Sequence, residues 1–192
     1  MPTKFFTNQN DNSLLKKFEG VFTNIDSIRH FDALVGYFRT SGYFKVRAFL
    51  DKIPKIRILV GINVDNLIKK YHDKGQLYLD NPEETKADFL DAIIKNIQEA
   101  DYDEITEKGI IQFIEDLIAG KIELKAHPSK KIHAKVYIMS FHKDDRDVGR
   151  VITGSSNFTA SGLRDNIEFN VELKNRSDYE YAKAKFEELW IS

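Results

Sequence analysis

No cysteine occurs in the 192 residues of this chain, which removes disulfides, thiolate catalysis and cysteine-based zinc sites from consideration. Nor does any stretch approach the roughly 18 consecutive apolar residues that a membrane-spanning helix requires. The opening Met1-Pro2-Thr3-Lys4-Phe5-Phe6 turns polar at Thr7-Asn8-Gln9-Asn10 and has no signal-peptide core. These absences set the expectation of a cytoplasmic protein with no membrane partner. An excess of positive charge is also missing: 29 basic and 30 acidic residues leave a net charge of −1, unlike a protein built only to coat nucleic acid. Charge is instead distributed locally. Lys121, Lys125, Lys130, Lys131 and Lys135 face one acid, Glu123, whereas the stretch from Asp80 to Asp116 is acidic. A basic strip of this kind suits a polyanionic substrate, and it equally suits solvation of an edge strand.

What is present is the pattern of a soluble globular chain, 42% hydrophobic and 31% charged, long enough for one core. Helical spacing from Asn12 to Phe22 is followed by an apolar strand pattern at Phe31–Phe38. A helix capped by Ser41 and running to about Leu50 comes next, and then a second strand at Lys55–Ile62. Strand, crossover helix, strand implies a parallel pair. Helices are expected at Asp65–His72, Glu84–Gln98 and Ile105–Leu117, the last stopped by Gly120. Strands follow at Lys121–Ala126, Lys131–Ser140, Arg150–Thr153 and Asn166–Leu173, with a final helix at Tyr179–Trp190. The expectation is one α/β domain over residues 1–192, a mixed, mostly β-sheet core flanked by helices on both faces, with a helical insertion at about 65–118.

The chemistry concentrates in Ile132-His133-Ala134-Lys135 and in Gly154-Ser155-Ser156-Asn157 about twenty residues later. On a strand, His133 and Lys135 project from one side roughly 7 Å apart, while Ile132, Ala134, Val136 and Ile138 form an apolar face on the other. An imidazole nucleophile, a cation to hold phosphate and a donor-rich small-residue loop together suit phosphodiester chemistry. Singly, each is ordinary: an outward histidine, a solvated lysine, a strand-to-helix turn. His30, His72 and His127 have no metal-binding spacing, and no His-x-x-x-His or paired-carboxylate site occurs, so neither metal nor cofactor is expected.

On these residues the chain resembles the phospholipase D superfamily, with a single His-x-Lys half-motif. The resemblance implies that His133 attacks phosphorus to form a phosphohistidine, that Lys135 clamps the non-bridging oxygens, and that Ser155 and Asn157 donate to them. A helix starting near Ser161 would add its dipole, and Gly154 would let the backbone approach closely. Glu168, thirteen residues after Ser155, matches the glutamate that orients the catalytic histidine in the small single-motif endonucleases of the superfamily. The loop Tyr37-Phe38-Arg39-Thr40-Ser41 corresponds to one that borders the active site, which makes Tyr37, Arg39, Ser41 and Lys131 a substrate rim. One position departs from the family pattern. Ser140 stands where the full motif has aspartate, five residues after the lysine, and Asp144, Asp145 or Asp147 on the following tip are the possible substitutes. The contiguous His142-Lys143-Asp144 reads as a solvated turn.

The family mechanism uses two histidines and this chain supplies one, so the resemblance implies a homodimer with the site at a twofold interface burying on the order of 1,600 Å² or more. Phe5-Phe6-Thr7-Asn8 and Val35-Gly36-Tyr37-Phe38-Arg39-Thr40-Ser41-Gly42 are also similar to the phospholipase-D-like domains at the N-terminus of bacterial superfamily 2 helicases. The expected activity is a metal-independent nuclease acting on DNA, as the N-terminal domain of a DNA helicase. A non-catalytic nucleic-acid-binding module with a decayed site is the alternative. Lipid phosphodiester hydrolysis is weaker, since no basic amphipathic helix is evident.

Overall fold

Two-residue alternation of apolar side chains in the central strands, apolar on both faces, places those strands in the middle of a covered sheet. A computed structural model describes residues 3–9, 11–64, 104–127 and 132–191. Its elements run β1 (Phe5–Thr7), α1 (Leu14–Asn24), β2 (Ile28–Phe38), α2 (Thr40–Arg47), β3 (Lys55–Val64), α3 (Glu104–Ile118), β4 (Ile122–Ala126), β5 (Lys135–Phe141), β6 (Gly149–Gly154), one π-helical turn (Ser161–Asp165), β7 (Phe169–Leu173) and α4 (Arg176–Ile191). The strands form one seven-stranded sheet in the order β1-β7-β6-β5-β2-β3-β4. β2, β3 and β4 are mutually parallel and the remaining pairs antiparallel. This is the expected mixed α/β sheet. The helices expected at 65–72 and 84–98 lie outside the described residues.

On one face Phe31, Ala33 and Val35 of β2, Ile56, Ile58 and Val60 of β3, and Tyr137 and Met139 of β5 pack against Phe18 and Phe22 of α1, Tyr43 and Val46 of α2, and Phe113 of α3. On the other, Leu34, Leu59, Ile138 and Val151 meet Phe186 and Trp190 of α4. Ile132, Ala134 and Val136 join this second cluster, as the alternation around His133 requires. Helices therefore cover both faces. α3 stops as its sequence predicts: Gly120 takes φ +69°, and the amides of Gly120 and Lys121 donate to the carbonyls of Leu117 and Asp116 at 3.1 and 2.9 Å, the Schellman arrangement. One local reading needs correction, and one strand was not anticipated. Arg39, extended at φ −133°, precedes the first residue of α2, and no side chain caps that helix, so Ser41 lies inside it. The three-residue β1, too short for any periodicity to announce, pairs with β7 at the sheet edge.

Beneath α4 lies a charged network. Asp32, fully buried, accepts from Arg57 Nε and Nη2 at 2.7 and 2.9 Å and from Lys183 Nζ at 2.5 Å. Arg57 also donates to both oxygens of Glu187, and its guanidinium lies 4.8 Å from the Phe186 ring centroid. Burial works against the Arg57 charge, but the Glu187 and Asp32 carboxylates hold it above the ordinary arginine range. The hydrogen bond from Arg57, aided by Lys183, holds Glu187 down at about 2.

Replacing Asp32 by alanine leaves two partly buried cations without their buried carboxylate, and should lower unfolding free energy by about 3–5 kcal/mol, read from urea midpoints. Glu187→Gln should be destabilising at neutral pH. Because the folded-state pKa of Glu187 is depressed, its contribution is complete above the ordinary carboxylate range and is lost as pH falls toward about 2. The difference between parent and variant midpoints should therefore shrink as pH is lowered from neutrality to 3.

Candidate functional site

The pattern that positions His133 begins with two glycines. Val35 of β2 pairs with Lys135 of β5, and one step on, the Gly36 amide donates to Ala134 O at 2.8 Å. A Cβ at Gly36 would lie 3.0 Å from His133 Cα, and one at Gly61 would lie 2.2 Å from Ile132 O. Only residues without side chains let the Ile132–His133 backbone settle across β2 and β3. The regular strand begins at Lys135 rather than Lys131, so His133 stands on its lead-in. The His133 side chain is exposed and that of Lys135 half-buried. Lys135 Nζ donates to His133 O at 3.0 Å.

The second segment leaves β6 at Gly154 and passes the same end of the sheet. Ser156 is buried and anchored twice: its carbonyl accepts from Tyr137 Oη at 2.8 Å, and its hydroxyl accepts from Asn170 Nδ2 at 2.9 Å. Burial, and then the charge of Glu168, push the Tyr137 hydroxyl well above the usual tyrosine range, so it stays a neutral donor. Ser155 and Asn157 flank this anchor. Asn157 Oδ1 is buried with no hydrogen-bond partner among the described residues. Beyond it Phe158 bridges to Phe38, and the Arg39 amide donates to Phe158 O at 3.0 Å, tying the loop to the carboxyl end of β2.

Several expected placements change. Glu168, which precedes β7 instead of lying in it, receives the Ser155 hydroxyl on one oxygen and Asn166 Nδ2 on the other at 3.3 Å. Among the described residues no hydrogen bond joins it to His133. The Ser155 hydroxyl also accepts from the Phe169 amide at 3.0 Å. The room at Gly154 is taken by β7, since a Cβ there would lie 2.3 Å from Phe169 O. The helix expected near Ser161 is a five-residue π-helical turn, too short to supply a helix dipole. Asp144, Asp145 and Asp147 sit on the hairpin tip at the opposite end of β5, ~20 Å from Lys135 by strand rise, so none substitutes for the motif aspartate. His142 and Asp144 approach to 3.2 Å within that tip, as a solvated turn. Ser140 faces α4, where its hydroxyl accepts from Tyr179 Oη at 2.8 Å. The position that departs from the family pattern is thus on the sheet face away from Lys135. Lys131 lies outside the described residues.

Beside these segments is a cleft of about 480 Å³ bordered by Tyr37, Arg39, Ser41, Asn157, Asp165 and Asn166 among others. The expected rim residues Tyr37, Arg39 and Ser41 are brought together here. Asp165 and Asn166 were not anticipated as cleft residues, because their proximity depends on the π-helical turn folding back over Asn157, where Gly162 abuts the Asn157 carbonyl. Tyr137 carried a legible signal, being two residues beyond Lys135 on the same strand face. No group of three or more metal-ligating side chains occurs among the described residues, and no helix among them is long and apolar enough to cross a membrane.

An exposed imidazole, an adjacent ammonium and a buttressed Ser-Ser-Asn loop gather at the carboxyl end of a parallel strand pair, the end of an open α/β sheet where ligands bind. The family model described as "Cardiolipin synthase, PLD-like domain" matches residues 40–190; the chain belongs to this phospholipase D-like family. Among solved structures it is similar to NucT from Helicobacter pylori, with 12% identity and TM-score 0.52, covering 98% of this chain and 94% of that one. It is likewise similar to Nuc from Salmonella typhimurium, a phospholipase D family member, with 14% identity, TM-score 0.53, and coverage of 97% and 91%. A polyphosphate kinase from Porphyromonas gingivalis matches at 11% identity and TM-score 0.57, over 96% of this chain but 25% of that one. A search of curated protein sequences returns no significant match.

Because Ser140 serves the sheet–helix contact, Ser140→Ala should cost about 1 kcal/mol of stability in denaturant unfolding. The variant should show no change in any turnover measured with saturating substrate.

Proposed function

We propose that the protein is a metal-independent phosphodiesterase that cleaves DNA through a phosphohistidine intermediate. The observation that carries the reading is the meeting of the His133–Lys135 segment and the Ser155–Asn157 loop at one end of the sheet, in a chain of the phospholipase D-like family. A His133 ring nitrogen attacks phosphorus, the bond to the leaving oxygen breaks, and that oxygen takes both the electron pair and a proton from a second imidazole. The same imidazole then removes a proton from water, which attacks the phosphohistidine and frees His133. Lys135 is the cation that balances the charge on the non-bridging oxygens, and Asn157 a further donor. Glu168, through Ser155, sets the geometry of the loop rather than of the histidine.

The second imidazole has no source among the described residues. His30 lies five residues back along β2, ~17 Å from the Val35–Lys135 pair by strand rise, and β4, which His127 follows, is ~14 Å away by strand spacing. His142 is on the opposite tip. This supports a homodimer in which the same histidine of a second copy completes the site across a twofold axis. The likeness to domains that accompany superfamily 2 helicases supports DNA as the polymer and a helicase-associated role. One observation favours the binding-module reading instead: Ser140 stands where the family pattern has aspartate, and its hydroxyl is engaged with Tyr179 on the other face of the sheet.

Cleavage of labelled DNA in excess EDTA, parent beside His133→Ala, decides between them. The nuclease reading expects cleavage by the parent and a loss of about three decades or more in the variant. Equal cleavage by both would end it. Salt-dependent binding with no cleavage would favour the binding module.

A further inference from the structure

The strand that carries Lys135 also holds the loop that carries Asn157, and it does so through one side chain. Tyr137 lies two residues beyond Lys135 on the same face of β5 and is fully buried. Its hydroxyl donates to Ser156 O at 2.8 Å, and its ring meets the Phe158 ring edge-on, with centroids 5.9 Å apart. Ser156 and Phe158 are the two neighbours of Asn157, so Tyr137 holds the chain on both sides of that residue. Tyr137 is itself fixed in place. The Phe18 ring packs on it at 5.2 Å, and strand register sets it opposite Ala33 of β2 and Ile152 of β6. Burial and the nearby Glu168 charge keep its hydroxyl protonated, so the donor is retained. The other side of the loop rests on backbone. The Arg39 amide donates to Phe158 O at 3.0 Å, and a Cβ at Gly42 would lie 2.6 Å from that same oxygen.

We infer that Tyr137 is a positioning residue for the phosphodiester site, fixing Asn157 relative to Lys135 by tying the loop after β6 to the strand. Its effect on turnover rests on the nuclease reading; its hold on the loop does not. β5 is the central strand of the sheet, and it sets Lys135 and Tyr137 roughly 7 Å apart by strand rise. The hydroxyl transmits that fixed spacing to the Ser156 carbonyl. Without it the loop keeps its bond from Asn170 to the Ser156 hydroxyl and its contact with the Arg39 amide. What it loses is the hydrogen bond to the strand that bears the phosphate-balancing cation. A displacement of about 1 Å in a positioned group can cost on the order of a hundredfold in rate. The loss falls on kcat more than on KM, because alignment matters most where charge develops in the transition state.

The test uses the full chain carrying Tyr137→Phe, which keeps the ring and removes only the hydroxyl. Two quantities are read: hydrolysis of bis(4-nitrophenyl) phosphate and amide hydrogen exchange, with circular dichroism verifying the fold. The expected result is a fall of about tenfold in kcat with KM held within about twofold. Exchange of the amides of residues 156–159 should quicken by about fivefold or more, while the amides in the middle of β2 and β5 exchange as in the parent. In an Asn157→Ala background the same substitution should lower kcat by less than about twofold, since the hydroxyl acts through that residue. Phe18→Leu, which loosens packing on the ring and spares the hydrogen bond, should lower the unfolding midpoint and leave the kcat of folded protein unchanged. Parental loop exchange in Tyr137→Phe would overturn the inference. So would parental kcat in that variant of an active parent, a kcat loss that adds to that of Asn157→Ala, or an equal loss in Phe18→Leu. A parent inert toward the diester, with loop exchange still quickened by Tyr137→Phe, would sink the nuclease reading and leave the hold on the loop supported.

Discussion

The register between β2 and β5 is the constraint on which the rest of this molecule depends. Ala33 opposes Tyr137 and Leu34 opposes Val136, so the first pair faces the layer of α1, α2 and α3 and the second faces α4. Because side chains alternate with period two, a slip of one residue would exchange every inward and outward group. His133 and Lys135 would then be driven toward the α4 core and Ile132 and Ala134 into solvent. Burial on both faces makes such a slip costly, and Gly36 and Gly61 finish the alignment by admitting the Ile132–His133 backbone where any side chain would collide. His133 is thus placed by backbone packing, and among the described residues no hydrogen bond holds its ring.

The α4 layer contributes in a different way. Asp32 occupies the same sheet face as Ile138, and its contacts with Arg57 and Lys183 fasten α4 to the centre of the sheet through charge where the neighbouring contacts are apolar. Such networks are weak evidence for net stability and stronger evidence for a specified arrangement, because each member left unpaired is penalised. Ser140 belongs to this side. Its hydroxyl meets Tyr179, so the exchange of the motif aspartate for serine is accommodated by a strand–helix contact instead of leaving a hole in the site.

The functional end of the sheet joins two kinds of surface. The His133–Lys135 and Ser155–Asn157 segments carry charge and hydrogen-bonding groups, while Tyr37, Arg39, Asn157 and Asp165 are among the residues that border a nearly neutral cleft. Both depend on loops at the carboxyl ends of β2 and β6, which a rigid sheet carries to one place. The structural likeness to Nuc and NucT extends over nearly the whole chain at low identity, so the backbone arrangement is shared where most of the side chains are not.

The sequence by itself determined the α/β class, the parallel unit formed by β2, α2 and β3, the apolar face behind His133 and the stop of α3 at Gly120, because periodicity and backbone permissiveness are local properties. It also singled out His133, Lys135, Ser155, Asn157 and Glu168, through spacing that matches a known family. Only the tertiary structure decided what those side chains touch. That Glu168 takes the Ser155 hydroxyl, that Ser140 faces α4, that the hairpin-tip aspartates stand at the wrong end of β5, and that Asp165 meets Tyr37 across a cleft are all long-range outcomes of strand register and chain reversal. No window of residues encodes them, because each requires two segments distant in sequence to be positioned by the core that both share.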